Sequence, residues 1–176
     1  MKFIKTNFDG LYEIHLEKKG DDRGWFMRMF DNNLFKENIP NFTGSLMQMN
    51  HSFSSDQYTW RGFHFQKEPY QETKVVRCIR GAVLDCVLDL RETSDTFLKV
   101  YQIQLSSNNN IMLYIPKGFA HGFLTLKDNS ELIYLHDEFY QPEFEDGVCF
   151  DDVKIKFQLP VFPKVISDRD KKHKKL

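Results

Sequence analysis

Short apolar-rich segments recur along the chain between turn signals: LYEIHLE, RGWFMRMF, SLMQMNHS, KVVRCIRG, AVLDCVLDL, VYQIQLS, IMLYIP, GFLTL and ELIYLHDEF. Segments of this length and spacing predict β-strands, and many in succession with little helix predict an all-β sandwich or barrel. In AVLDCVLDL, Asp85 and Asp89 share one strand face, while Leu84, Cys86 and Leu88 project from the other. Two carboxylates on one face must be solvated, paired or at work. One stretch has helical character, DNNLFKENI, where Asp31 can cap a short amphipathic turn. Gly81 in CIRGAVLD marks the reversal of one strand into the next, and the SSNNN run at 106–110 predicts a hairpin-type loop leading into IMLYIP. Short antiparallel strands with few helices point to a jelly roll, whose interior can hold a small ligand. Chemistry is therefore expected on inward-facing side chains. No repeat, low-complexity segment or linker divides the chain, so residues 1–176 are expected to form a single domain, with a basic tail at about 171–176.

Composition supports this picture and narrows the function classes. Seventeen Phe and seven Tyr bring aromatics to 15%, which suits half-buried pleated surfaces, and 41% hydrophobic content suffices for a sizeable core. A formal net charge of −1 gives no general attraction to nucleic acid or anionic membrane. The only basic run, in DRDKKHKKL at the end of the chain, reads as a frayed, solvated terminus. The opening MKFIKTNFDG interrupts its apolar residues with Lys5 and Asp9, so it lacks the apolar region of a signal peptide, and no apolar run reaches bilayer length. A cytoplasmic chain with no membrane partner is expected. Cys78, Cys86 and Cys149 are odd in number and lack metal-ligand spacing, so reduced thiols are expected.

The inward-compatible polar groups are Arg61, His64, Lys74, Asp85, His121 and Tyr134, more than a core of this size buries without reason. Taken singly, His64 in RGFHFQ and His121 in PKGFAHGF read most simply as core histidines with satisfied hydrogen bonds. A catalytic metal would call for histidines two apart on a strand plus a carboxylate. His64 has Gly62 and Gln66 as its same-face neighbours, and His121 has Phe119 and Phe123, so that pair is missing and no metal is expected. The other reading is proton transfer beside a carbonyl. A hydrogen next to a ketone becomes removable when a base reaches it and a cation or proton donor stabilises the enolate oxygen. Inversion at carbon further requires a proton donor on the opposite face. His64 as base, Lys74 or His121 at the oxygen and Tyr134 as the opposing acid would fill these roles, although spacing alone does not show that they converge.

The blocks DDRGWFMRMF, MQMNHS, WRGFHFQKEPYQETKVVRCIRGAVLDCVLDLRETSDTF, LYIPKGFAHGFLTL, ELIYLHDEFYQPE and ISDRD run in order over nearly the whole chain. Together they resemble the dTDP-4-dehydrorhamnose 3,5-epimerases, sugar-nucleotide enzymes with a cupin (jelly-roll) fold. The resemblance implies a metal-independent epimerase of a nucleotide-diphosphate 4-keto-6-deoxy sugar. It would invert C3, C5 or both through an enolate, toward a deoxysugar (hexose or heptose) of a surface polysaccharide such as capsule or lipopolysaccharide. It implies that His64 abstracts the protons, that Asp170 orients and polarises it, and that Tyr134 acts from the other face of the ring. Lys74 falls near the C4 oxygen, and His121 pairs with Asp85. Arg23, Gln48, Asn50 and Arg61 fall where the diphosphate and neighbouring groups are held, a task suited to the guanidinium fork. The resemblance implies no cofactor, and a homodimer whose N-terminal segment exchanges pairing, so that Arg23 serves the neighbouring subunit's site.

The chain also departs from the familiar pattern. The RGxFxE-like block reads RGWFMR, placing Arg28 where relatives carry a glutamate that accepts a hydrogen bond from thymine. An arginine suits guanine O6 and N7, which predicts a GDP-linked rather than a dTDP-linked substrate, unless Arg28 simply turns to solvent or to a phosphate. Leu135 replaces a lysine that often follows the tyrosine, and Trp60 precedes Arg61 where leucine is more usual; both changes could reshape the sugar pocket. Phe139 keeps an aromatic surface where relatives stack the base. Two rivals remain open: a 3,4-ketoisomerase or single-site epimerase on a similar pocket, and a non-catalytic sugar-nucleotide-binding jelly roll.

Overall fold

A computed structural model describes residues 1–176. In chain order the elements are β1 (Lys2–Lys5), β2 (Tyr12–His15), β3 (Lys19–Asp21), β4 (Gly24–Phe26), α1 (Asn32–Asn38), β5 (Gln48–Ser54), β6 (Thr59–Gln66), β7 (Lys74–Arg80), β8 (Ala82–Asp89), β9 (Val100–Ser106), β10 (Ile111–Ile115), β11 (Phe119–Thr125), β12 (Ser130–His136), β13 (Glu145–Gly147), β14 (Val165–Ile166) and α2 (Asp168–Lys171). They form a jelly roll. One sheet runs β1-β2-β10-β7-β12-β5, and the other runs β13-β6-β11-β8-β9 with β14 added parallel to β6. Strands β3 and β4 make a separate hairpin.

Alternation along the strands sorts the core into layers. Val76, Cys78, Val83, Val87, Leu113, Phe123 and Leu132, drawn from both sheets, form one cluster between them. The opposite face of the first sheet, through Ile14, Val75, Met112 and Tyr114, packs under Phe35 and Ile39 around α1. The opposite face of the second, through Trp60, Phe63, Cys86, Leu88 and Leu124, is covered by Val148, Ile155 and residues up to Ile166. Helix α1 starts as its sequence predicts: Asp31 Oδ1 accepts from the backbone N–H groups of Asn33 and Leu34 at 3.1 and 3.3 Å.

Three expectations are revised. Gly81 does not close a hairpin within one sheet; it turns the chain from β7 in the first sheet to β8 in the second. Its φ is +73°, and an added Cβ would lie 3.0 Å from Ser130 Cα, so glycine is required on both counts. The 106–110 loop likewise carries β9 across to β10 on the other sheet. The basic C-terminal stretch does not fray as a whole. It opens in α2, and Lys174 bridges to Val148 in parallel fashion while Lys171, Lys172, Lys174 and Lys175 stay exposed. The three cysteines are free and buried, and no helix is long and apolar enough to cross a membrane.

Candidate active site

Strand β6 does not alternate regularly. On its neighbour β11, His121 pairs with His64 and Phe123 with Arg61, so three steps on β6 match two on β11. The extra residue is a β-bulge, and it changes which side chains share a face. Arg61 and His64 both face the cavity between the sheets, while Trp60 and Phe63 both pack into the outer cluster. The reading that put Gly62 on the face of His64 is thereby corrected. Gly62 has φ +129° and sits so close to β11 that a Cβ would lie 2.8 Å from His121 O. Its N–H donates to Asp170 Oδ2 at 3.1 Å, while His64 Nε2 lies 2.9 Å from Asp170 Oδ1. The bulge thus aims a backbone donor and an imidazole at one carboxylate.

Asp170 comes from α2, where Ser167 caps the first turn and Oγ accepts from the Asp170 N–H at 3.0 Å. Burial opposes its ionisation, but the His64 hydrogen bond and charge, helped by Gly62 N–H, overcome that and hold the carboxyl at about 2. With the imidazole proton on Nε2, the lone pair of His64 is on Nδ1, available as a base.

A second imidazole–carboxylate pair lies across the strand. His121 Nε2 is 2.8 Å from Asp85 Oδ2, and both residues are buried. Asp85 is therefore paired, as is Asp89, which takes hydrogen bonds from Arg91, Ser94 and Thr96 at the end of β8. The His121 ring stands edge-on to Tyr134, centroids 6.3 Å apart, although Tyr134 belongs to β12 in the opposite sheet. Tyr134 Oη is 2.9 Å from Ser52 Oγ, and burial pushes its phenol well above the ordinary value.

Lys74, buried on β7, donates to His64 O at 3.2 Å and pairs with Glu72 Oε1 at 2.9 Å. Glu72 also holds His136 Nδ1 at 2.9 Å. Burial would raise the Glu72 carboxyl, yet the His136 hydrogen bond and the Lys74 charge bring it down to about 2.

His64, Lys74, Arg61, His121, Tyr134 and Asn50 line one cavity of about 240 Å³. A continuation of about 160 Å³, sharing Asn50, His64 and Lys74, adds Gln48, Gln66 and Tyr140. Arg61 is fixed there by Ser54 Oγ at 3.1 Å and Phe53 O at 3.0 Å. Phe139 is half-exposed at the rim, and Gln48 accepts from the Tyr140 N–H beside it at 2.5 Å. A larger hollow, about 440 Å³, opens beside Lys67, Arg91 and Lys117 and contains none of these imidazoles.

Arg23 and Arg28 stand outside the cavity. Arg23 sits in the β3–β4 hairpin, 89% exposed and paired to Asp21 at 2.6 Å. Arg28 pairs with the helix-capping Asp31 at 2.8 Å and borders a separate hollow with Met1 and Leu34. Conversely, Ser52, Glu72, His136 and Arg169 border the cleft without having been singled out in the sequence. Ser52 and His136 lie in strand blocks named above, two residues from Asn50 and Tyr134 and so on the same face, a signal that was present. His173 approaches Asp170 as well, so that ligand atoms of His64, Asp170 and His173 lie within 4.8 Å of one another, close enough for a metal ion.

Carboxylate-backed imidazoles on one sheet thus face a phenol on the other across one cavity of a jelly roll. Fold and cavity together define a cupin-type sugar epimerase. Residues 5–176 match the dTDP-4-dehydrorhamnose 3,5-epimerase family, and the chain belongs to it. It is 41% identical over 160 residues to a dTDP-4-dehydrorhamnose 3,5-epimerase of Escherichia coli K12, covering 91% of this chain and 85% of that one. A crystal structure of such an epimerase from Bacillus anthracis with TDP and PPi bound superposes with a TM-score of 0.94 at 36% identity, covering 99% of both chains. An epimerase from Legionella pneumophila in complex with dTDP-4-keto-L-rhamnose matches at 31% identity and a TM-score of 0.92, covering 99% of this chain and 92% of that one.

Proposed function

We infer that this chain inverts C3 and C5 of dTDP-4-dehydro-6-deoxyglucose to give the L-rhamno keto sugar, by proton transfer through an enolate and without a metal. The observation that carries the reading is that His64 and Tyr134, from opposite sheets, line one cavity. His64 takes the proton from carbon, and the electron pair passes to the C4 oxygen. Lys74 and the His121–Asp85 pair stabilise the charge that develops there. Tyr134 delivers a proton to the carbon from the other face, and solvent restores both groups. The raised phenol supports this direction of transfer, since Tyr134 keeps its proton at working pH. Asp170 orients His64 and stabilises the imidazolium.

Gln48, Asn50 and Arg61 hold the diphosphate side of the substrate, and Phe139 offers its exposed ring to the base. The nucleotide is dTDP, the form named in the relatives. Arg23 and Arg28, outside this chain's cavity, serve the neighbouring subunit of a homodimer. Exposed Trp25 and Phe26 on the Arg23 hairpin, and Met49 and Phe53 on the edge strand β5, support such an assembly.

The test is steady-state turnover of the dTDP-linked 4-keto sugar by three proteins. His64→Ala and Tyr134→Phe should each lower kcat by about 10² to 10⁴-fold, the usual contribution of a positioned acid or base. The parent should be stabilised more by dTDP than by GDP in thermal shift. Parental turnover in both variants would remove the mechanism, and preference for GDP would reinstate Arg28 as a guanine reader.

A further inference from the structure

One partly buried imidazole with no role assigned above stands against His64. His173 packs edge-on to His64 with ring centroids 5.4 Å apart, and its Nε2 lies 3.5 Å from Asp170 Oδ1, the oxygen bonded to His64. Its side chain is only 11% exposed, and Nε2 has no hydrogen-bond partner. The backbone around it is tied down. His173 N–H donates to Asp170 O at 3.4 Å, Cys149 N–H donates to Lys174 O at 3.2 Å, and Leu176 N–H donates to Asp152 Oδ2 at 2.5 Å.

Gly147 provides an independent observation. It is the register partner of His64 on β13, and an added Cβ would collide with Cε1 and Nδ1 of the His173 ring. No positive φ demands glycine at this position, so what the side chain would displace is the imidazole itself. The sequence therefore leaves a seat for the His173 ring beside the base.

We propose that His173 is a positioning residue for the epimerisation, acting through the His64–Asp170 dyad: it walls the dyad from water and fixes the His64 ring so that Nδ1 stays turned to the cavity. This rests on His64 being the base, as inferred above. Excluding water strengthens the attraction between the Asp170 carboxylate and the imidazolium that forms during turnover. The charged and titratable groups facing His173 are His64 from β6 and Arg169 and Asp170 from α2, with Glu145 of β13 reached through Arg169. Burial, and then the neighbouring His64, lower the His173 imidazole from its ordinary value, so it adds no second cation when His64 takes up a proton.

The experiment compares His173→Ala, His173→Gln, Gly147→Ala and the Gly147→Ala/His173→Ala double variant, with His64→Ala as the control. His173→Ala should lower kcat by about 10- to 100-fold, the cost of a slightly misplaced catalytic group, while KM stays within about twofold. Gly147→Ala should show the same loss, the double variant no further loss, and His173→Gln partial recovery. In proton NMR, the low-field N–H signal of the dyad should be sharp in the parent and broadened by exchange in His173→Ala. If His173→Ala does not fold, Gly147→Ala and His173→Gln are judged by the same readouts. Parental kcat in the variants, additive losses in the double variant, or a change confined to KM overturns the proposal. An active His64→Ala would instead overturn the base assignment, which keeps the two failures distinct.

Discussion

At Gly62 the chain takes φ +129° against the backbone of β11, and the same residue donates its N–H to Asp170. A side chain here meets both an unfavourable backbone region and a fixed neighbour, since His121 O would stand 2.8 Å from the new carbon. Gly62→Ala should therefore cost about 2–4 kcal/mol of stability, the sum expected of a left-handed strain and an overpacked contact. Urea unfolding measures it, and a loss below about 0.5 kcal/mol would mean that the bulge tolerates a side chain. Turnover should fall with it, because moving Gly62 moves the carboxylate that holds His64.

Among the elements, α1 and α2 show two uses of a helix N-terminus. On α1, Asp31 caps the first turn and holds Arg28 at 2.8 Å. Asp31→Ala should cost about 1 kcal/mol, or roughly 2–4 °C in Tm for a chain of this size, and an unchanged Tm would contradict the capping role. On α2, the cap at Ser167 sets the turn that carries Asp170 to His64. Strands β5 and β7 to β12 were legible because their apolar residues recur at β spacing, and in AVLDCVLDL the alternation placed Asp85 correctly on the inner face with Val83 and Val87, whereas TWRGFHFQ of β6 was not among the predicted strand segments. Short β13, β14 and α2 were not legible as elements, since EDG, VI and DRDK are too short to show a period. The bulge was hidden for a different reason: strict alternation is the assumption by which a strand is read, and one extra residue at Gly62–Phe63 inverts it. Glu72 escaped notice because it precedes β7 and meets His136 only through the fold. The basic run around His173 looked like a solvated tail because four lysines outweigh one histidine in composition, although the histidine side chain is largely shielded.

For the molecule as a whole, several buried carboxyls are ionised against the cost of burial. Asp170 and Asp89 are held at about 2 from an ordinary 3.8, and Glu72 at about 2 from 4.5. A carboxyl depressed in the folded state contributes stability above its unfolded value and loses it as pH falls through the folded one. The loss is therefore expected between pH values of about 4.5 and 2, on the order of 2–3 kcal/mol per group. Denaturant midpoints taken across that range should drop steeply, and a flat profile would contradict the pairing of these three groups. The jelly roll links this stability to the site, since Glu72 and Asp170 are also the carboxylates that hold Lys74 and His64. The central claim, proton removal from sugar carbon by an imidazole in a cavity shared with a phenol, is tested most directly by running the reaction in D2O and locating deuterium in the product by NMR. The account predicts deuterium at C3 and C5 with the parent protein and at neither position with His64→Ala; inverted product free of deuterium would contradict it.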